Sequence, residues 1–119
     1  MKALFDTHIL IDYLRGVPEA KREIEQYQTR LISAVSASEI LAAAKPEEAR
    51  VLSAWLDGFE VVAACSRVAQ IAAQLRQQQR DLALIPAMIW ASAKAHDALF
   101  ITRNMTSFPP QDAGIRKPY

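Results

Sequence analysis

The stretch Lys2-Ala3-Leu4-Phe5-Asp6-Thr7-His8-Ile9-Leu10-Ile11-Asp12-Tyr13-Leu14-Arg15-Gly16 sets the terms for the rest of the chain. Ala3-Leu4-Phe5 is a continuous apolar run rather than an alternating one, which predicts a short strand over Lys2–Asp6 buried on both faces and therefore central in its sheet. A helix is predicted from about His8 to Arg15. Asp6 or Thr7 supplies its N-cap, Ile9/Tyr13 and Leu10/Leu14 fall at i,i+4 spacing, and Gly16 stops it. A buried strand that passes into a helix through an acid puts that acid at the carboxyl end of the strand.

Outward from this unit the chain alternates. Pro18 suits the first turn of a polar helix over Glu19–Tyr27, whose Lys21, Arg22, Glu23 and Glu25 read as a solvated face. Leu31–Ser33 is a second short strand. Ser36–Ala44 is a helix whose start has the S-x-x-E pattern of a capping box in Ser36 and Glu39. Helices over Pro46–Leu56 and Ser66–Gln79 flank a strand at Phe59–Val62; the latter helix carries Val68, Ile71, Ala72 and Leu75 on one face. A last helix runs from Pro86 to about His96, followed by a strand over Ala98–Thr102 and a loop broken by Pro109-Pro110. Strands alternating with helices predict an α/β fold, a three-layer α/β/α sandwich around a mainly parallel sheet with right-handed crossovers.

Composition bounds the function classes. At 119 residues the chain fits one domain, 1–119, with a core of its own. Half of it is hydrophobic and it holds only three glycines, which excludes wholesale disorder. A formal charge of +1 offers no global attraction for a polyanion, so any grip on nucleic acid must come from local Arg and Lys placement. The one cysteine, Cys65, cannot form an internal disulfide, and no apolar stretch is long enough for a bilayer. With no signal-peptide pattern after Met1-Lys2, a cytoplasmic protein is expected.

In parallel α/β sheets ligands bind outside the carboxyl ends of the strands. Four segments bear on that rule: Asp6 ends the first strand, Glu39 in Ser36-Ala37-Ser38-Glu39-Ile40-Leu41 starts the helix after the second, Ala87 in Ile85-Pro86-Ala87-Met88-Ile89-Trp90-Ala91-Ser92-Ala93 is in the first turn of the last helix, and Asn104 with Ser107 in Thr102-Arg103-Asn104-Met105-Thr106-Ser107-Phe108 follows the last strand, although spacing alone does not bring them together. Together they resemble a PIN-domain ribonuclease of the VapC type, the toxin of a type II (VapBC) toxin–antitoxin system. The resemblance spans nearly the whole chain. It implies a PIN-like fold, four convergent acidic positions that bind Mg²⁺ or Mn²⁺, and Mg²⁺-dependent endoribonuclease activity that cuts cellular RNA and arrests translation. It also implies a VapB-type antitoxin as partner, whose C-terminal segment lies in a groove bordered by the apolar helices of residues 36–56. A toxin homodimer and contact with operator DNA only through the antitoxin follow in the same way.

The chemistry needs such a set. Carboxylates crowded into one crevice raise each other's pKa, and a hard divalent ion with oxygen ligands removes that cost. Such an ion can activate a water and stabilise the charge that develops in phosphodiester hydrolysis. Asp6 matches the family's first acid, against a simple helix-capping role. Thr7 supports it as metal-water partner or cap. Glu39 matches the second acid, against the capping-box role. At the third position Pro86 is followed by Ala87, where the family has aspartate; this is either a natural loss or a deliberate replacement, and with the rest of the motif intact the replacement is favoured and the parent protein is expected to have Asp there. At the fourth, the family pattern Thr-Arg-Asn-x-x-Asp-Phe is met with Ser107 in place of aspartate, leaving Asn104 to offer a side-chain carbonyl and Ser107 a hydroxyl.

Arg103 beside this crevice is a candidate for RNA phosphate through its guanidinium fork, or for an ion pair with Asp97 or Asp112. Asp12 reads as a surface acid, His8 and His96 as isolated histidines without metal spacing, and Trp55 and Trp90 as core or interface anchors. The departures at Ala87 and Ser107 leave a second reading open, a non-catalytic binding module acting in an antitoxin complex that represses its own operon. A phosphoacceptor receiver domain is disfavoured: no acidic pair follows the first strand and no Lys ends the last.

Overall fold

The computed structural model describes Met1–Tyr119. Strands β1 (Lys2–Phe5), β2 (Thr29–Ser33), β3 (Glu60–Val62), β4 (Leu99–Ile101) and β5 (Ile115–Arg116) form one sheet in the order β3-β2-β1-β4-β5. Every pairing is parallel. β1 is central, and its run alternates between two buried faces: Ala3 and Phe5 point to one core cluster and Leu4 to the other.

Helices α1 (Thr7–Leu14), α2 (Pro18–Glu25), α3 (Ala34–Ala43) and α4 (Ala49–Leu56) border the first cluster, where Phe5 meets Tyr27 and Phe59 edge-on at centroid distances of 5.8 and 6.2 Å. Helices α5 (Ser66–Gln78) and α6 (Leu84–Ala95) cover the second, in which Phe108 packs edge-on against Phe100 and Trp90. The result is a three-layer α/β/α sandwich. Gly16 ends α1 at φ +82°, in the left-handed region that favours glycine. No helix is long and apolar enough to cross a membrane.

Several local expectations change. The segment after β4 is not all loop: Ile115–Arg116 adds β5, with Phe100 N–H donating to Gly114 O at 2.8 Å and Thr102 N–H to Arg116 O at 3.0 Å. Two residues are too few for a periodic signal. The helix expected over Pro46–Leu56 divides into a single 3-10 turn, Pro46–Glu48, and α4. α6 starts at Leu84 rather than Pro86, since a proline in the first turn loses no intrahelical hydrogen bond.

The capping box is also displaced. β2 passes straight into α3, so the cap is Ser33, whose Oγ accepts from Ser36 N–H at 2.9 Å. Glu39 thus has no capping duty. On α2 the face is not wholly solvated, because Glu23 is buried and accepts from Arg116 Nε at 2.8 Å, Arg116 Nη2 at 3.1 Å and Tyr27 OH at 2.9 Å. Burial of Tyr27 first, and the Glu23 carboxylate second, push the pKa of its phenol up to about 12.

Candidate active site

Asp6 leaves the end of β1 and caps α1, its Oδ1 accepting from Thr7 N–H at 2.9 Å. Its Oδ2 accepts from Thr102 Oγ1 at 2.7 Å, and Thr102 directly follows the neighbouring strand β4. The side chain is only 7% exposed. Burial raises its pKa above the ordinary 3.8; the bonds from Thr102 and Thr7 and the nearby His8 pull the other way without overcoming it, and Glu39 adds repulsion. Asp6 is therefore a carboxylate whose ionised form would gain from a nearby cation.

Glu39 reaches the same place from α3. Thr7 Oγ1 donates to Glu39 Oε1 at 2.8 Å and lies 2.8 Å from Ser36 Oγ. Ser33 Oγ donates to Ser36 Oγ at 3.1 Å. Since Thr7 spends its proton on Glu39, Ser36 must donate to Thr7, so the hydroxyls of Ser33, Ser36 and Thr7 all point their protons along one line that ends on the Glu39 carboxylate. The three are buried, and no buried side-chain polar atom in the protein lacks a partner. This line orients Glu39 on the Asp6 side of α3.

Asn104 joins through its backbone: its N–H donates to Thr102 Oγ1 at 3.0 Å. Its side chain is engaged locally, Nδ2 donating to Ser107 Oγ at 3.1 Å and Oδ1 accepting from Thr106 Oγ1 at 2.7 Å. Ser107 therefore braces Asn104. Ala87 is not in this network. It is fully buried in the apolar cluster that includes Leu4 and Phe100, with its N–H bonded to Ala83 O at 3.1 Å, whereas Pro86 one residue earlier is only partly buried.

Arg103 is placed beside this network but already has a partner. It donates to Asp12 through Nε at 2.8 Å and Nη2 at 3.4 Å, and Tyr119 OH donates to the same carboxylate at 2.7 Å. The partner is thus neither Asp97 nor Asp112, and Asp12 is not a surface acid: it is 8% exposed. Residue spacing gave no sign of this pair, nor of Thr102 and Ser36 as supports of the acids. His8 and His96 are exposed, Trp90 is core, and Trp55 stacks on Tyr13 at 5.2 Å on the edge of a groove. That groove, about 930 Å³, runs between α1, α3 and α4 and is lined by Ile11, Leu14, Ile40, Val51, Leu52 and Trp55 with Arg15, Lys45, Glu47 and Glu48 at its polar margin.

The donor set fits one small hard cation. Two carboxylates are present, both oxygens are of the hard type, and Glu39 Oε2 has no protein donor; Mg²⁺ commonly takes one or two carboxylates and keeps waters for the rest. No group of three or more His, Cys, Asp or Glu side chains converges anywhere in the chain, so a closed all-protein cage is absent.

Comparison with known proteins agrees with this architecture. The family model described as PIN domain matches residues 3–106. A toxin–antitoxin complex from Klebsiella pneumoniae contains a chain that superposes with a TM-score of 0.91 at 34% identity, covering 98% of each chain. FitAcB from Neisseria gonorrhoeae gives a TM-score of 0.80 at 24% identity, covering 99% of this chain and 98% of that one. DNA-bound VapBC from Salmonella typhimurium gives 0.79 at 23%, covering 98% and 96%. These last two speak to the fold alone. No curated protein matches the sequence. With a family match over residues 3–106 and an acid at the carboxyl end of the central strand of a five-stranded parallel sheet, the chain belongs to the PIN domain family.

Proposed function

We propose that the chain, acting as one PIN domain over residues 1–119, is the toxin of a type II toxin–antitoxin pair and a Mg²⁺-dependent endoribonuclease whose activity is attenuated by Ala87 at the third acidic position. The observation that carries this reading is the Asp6–Thr7–Glu39 arrangement: two carboxylates from β1 and α3 are tied through one threonine at the edge where α/β sheets bind ligands. Mg²⁺, or Mn²⁺ in its place, supplies Lewis-acid activation of water and charge neutralisation at a phosphodiester. Asp6 and Glu39 hold it, Thr7 fixes Glu39, Thr102 fixes Asp6, and Asn104, braced by Ser107, sets the loop after β4. Arg103, half-exposed and locked by Asp12, presents its remaining guanidinium donors to RNA phosphate.

The partner in this reading is a VapB-type antitoxin, and support comes from the 34% identical chain, which was solved within a toxin–antitoxin complex. The groove between α1, α3 and α4 suits an amphipathic segment of it, with apolar residues on the floor and both charge signs at the rim. A homodimer in the cytoplasm, reaching operator DNA only through the antitoxin, completes the proposal.

One observation favours a second reading. Only two carboxylates meet at the site, and no third acid is near enough to join them, as expected of a non-catalytic module that serves an antitoxin complex repressing its own operon. RNA cleavage by the purified chain with Mg²⁺ or Mn²⁺, compared with its Asp6→Asn variant, separates the two. Metal-dependent cleavage that the variant loses supports the nuclease; no cleavage by either, with the antitoxin still bound, supports the module.

A further inference from the structure

From Val61 to Arg80 the chain contains three arginines, Arg67, Arg76 and Arg80, and no acid, so the remainder carries a formal charge of −2 against +1 for the whole. Its greater part, Ser66–Gln78, is α5. Its Val68, Ala72 and Leu75 are buried, while Arg76 on the flank of that face, Gln77, and Arg80 in the turn just after the helix are exposed. Together with Ala73 these line an open concavity of about 450 Å³. No carboxylate lies within ion-pairing distance of either arginine. Arg76 Nε donates to Leu82 O at 3.1 Å, which steadies its guanidinium and leaves both Nη groups without a protein acceptor. Two unpaired guanidinium groups lining one concavity, with glutamine amides between them in the chain, are suited to phosphate oxygens.

The end of α5 also reaches the candidate active site. Gln79 Nε2 donates to Ser107 O at 2.7 Å, Ser107 Oγ accepts from Asn104 Nδ2, Asn104 N–H donates to Thr102 Oγ1, and Thr102 donates to Asp6. The basic face is thus joined to Asp6 by a continuous path through one loop. It meets the site from the α5 and α6 layer, while Glu39 meets it from the other. A carboxylate pair repels the polyanion it acts on, so substrate affinity must come from cations beside the acids.

We infer that Arg76 and Arg80 form a phosphate-binding subsite that takes the backbone of single-stranded RNA where it leaves the Asp6–Glu39 centre. The inference rests on the nuclease reading above and adds the path of the substrate. Arg80 makes no side-chain hydrogen bond, so Arg80→Ala removes charge without removing structure; Arg76→Lys keeps the charge and loses the fork.

The test uses the full chain in an Asp6→Asn background, which prevents cleavage, and follows a labelled single-stranded RNA by fluorescence anisotropy across a KCl series. Arg80→Ala should weaken binding several-fold and lower the slope of log K against log salt by about 0.7, the release expected for one single-strand phosphate contact. Arg76→Lys should weaken binding while leaving the slope unchanged. Arg22→Ala, which removes an equal charge from the α2 surface, should change neither. Equal slopes for Arg80→Ala and Arg22→Ala would overturn the subsite, as would a larger effect on duplex DNA than on RNA. Cleavage by the chain with native Asp6 is read separately: its presence together with an unaffected slope sinks the subsite alone, and its persistence in Asp6→Asn sinks the nuclease reading itself.

Discussion

Thr102 Oγ1 donates to Asp6 Oδ2 at 2.7 Å and connects residues 96 positions apart. The bond exists because β4 pairs with β1 in parallel, Phe5 opposite Ile101, so the residues that follow the two strands emerge side by side. One hydroxyl thereby serves both Asp6 and the Asn104 loop, because it also accepts from Asn104 N–H.

Thr102→Val keeps the shape and removes both bonds. Leaving one oxygen of a buried carboxylate and one backbone N–H unmet should cost about 1–3 kcal/mol, read as a fall in the urea midpoint at unchanged m-value. Thr102→Ser should recover most of it. A Val variant as stable as the parent would show that water replaces the hydroxyl without loss.

Thr7→Val breaks the line of hydroxyls at its last step and frees Glu39 to swing. A hydrogen bond to a charged group is worth about 1.5–3 kcal/mol, so Mn²⁺ affinity by calorimetry and the cleavage rate should fall by about tenfold or more, with Thr7→Ser near normal. Unchanged Mn²⁺ affinity in Thr7→Val would remove Glu39 from the metal set.

Ala87→Asp tests the third position. The methyl is fully buried beside apolar neighbours, so in EDTA the variant should melt below the parent, since a buried carboxylate must be desolvated. If the position is a vacated ligand site, Mn²⁺ should raise the melting temperature of Ala87→Asp more than that of the parent and should increase cleavage, and Ala87→Asn should show neither. Pro86→Asp, at the partly buried residue before it, is the comparator. A metal response from Pro86→Asp alone would move the third position by one residue.

Asp12 should contribute to the loss of stability in acid. Burial pushes its pKa up, but the Tyr119 hydroxyl and the Arg103 guanidinium outweigh this and hold it below 3.8. Its contribution is present above the unfolded-state value and is lost as pH falls through the lower folded value. Because Arg103 is 42% exposed, solvent screens the pair and Asp12→Asn should cost about 1 kcal/mol at neutral pH. Melting temperatures measured from neutral pH to below 3.8 should fall less steeply for the variant. Parallel curves would assign the acid limb to another carboxylate.

The β1–Asp6–α1 unit, the alternation of strands and helices, and the positions of Asp6, Glu39 and Asn104 after their strands are legible in the amino-acid sequence. These are local properties: an apolar run, i,i+4 spacing and a glycine stop are written within a turn or two of chain. What a side chain contacts is decided elsewhere. Glu39 looked like half of a capping box until β2 and α3 joined without a loop and Ser33 took the cap, which left Glu39 to Thr7. Asp12 and Glu23 looked like surface acids, yet Arg103, Tyr119 and Arg116 arrive from 91 to 107 residues away to bury and pair them. β5 was invisible because two residues have no period and owe their conformation to the edge of β4. Ala87 had a motif neighbourhood in sequence, but only the packing of α6 on the sheet put its methyl inside an apolar cluster. Partners this far apart leave no spacing to read, because the sheet order and not the chain brings them together.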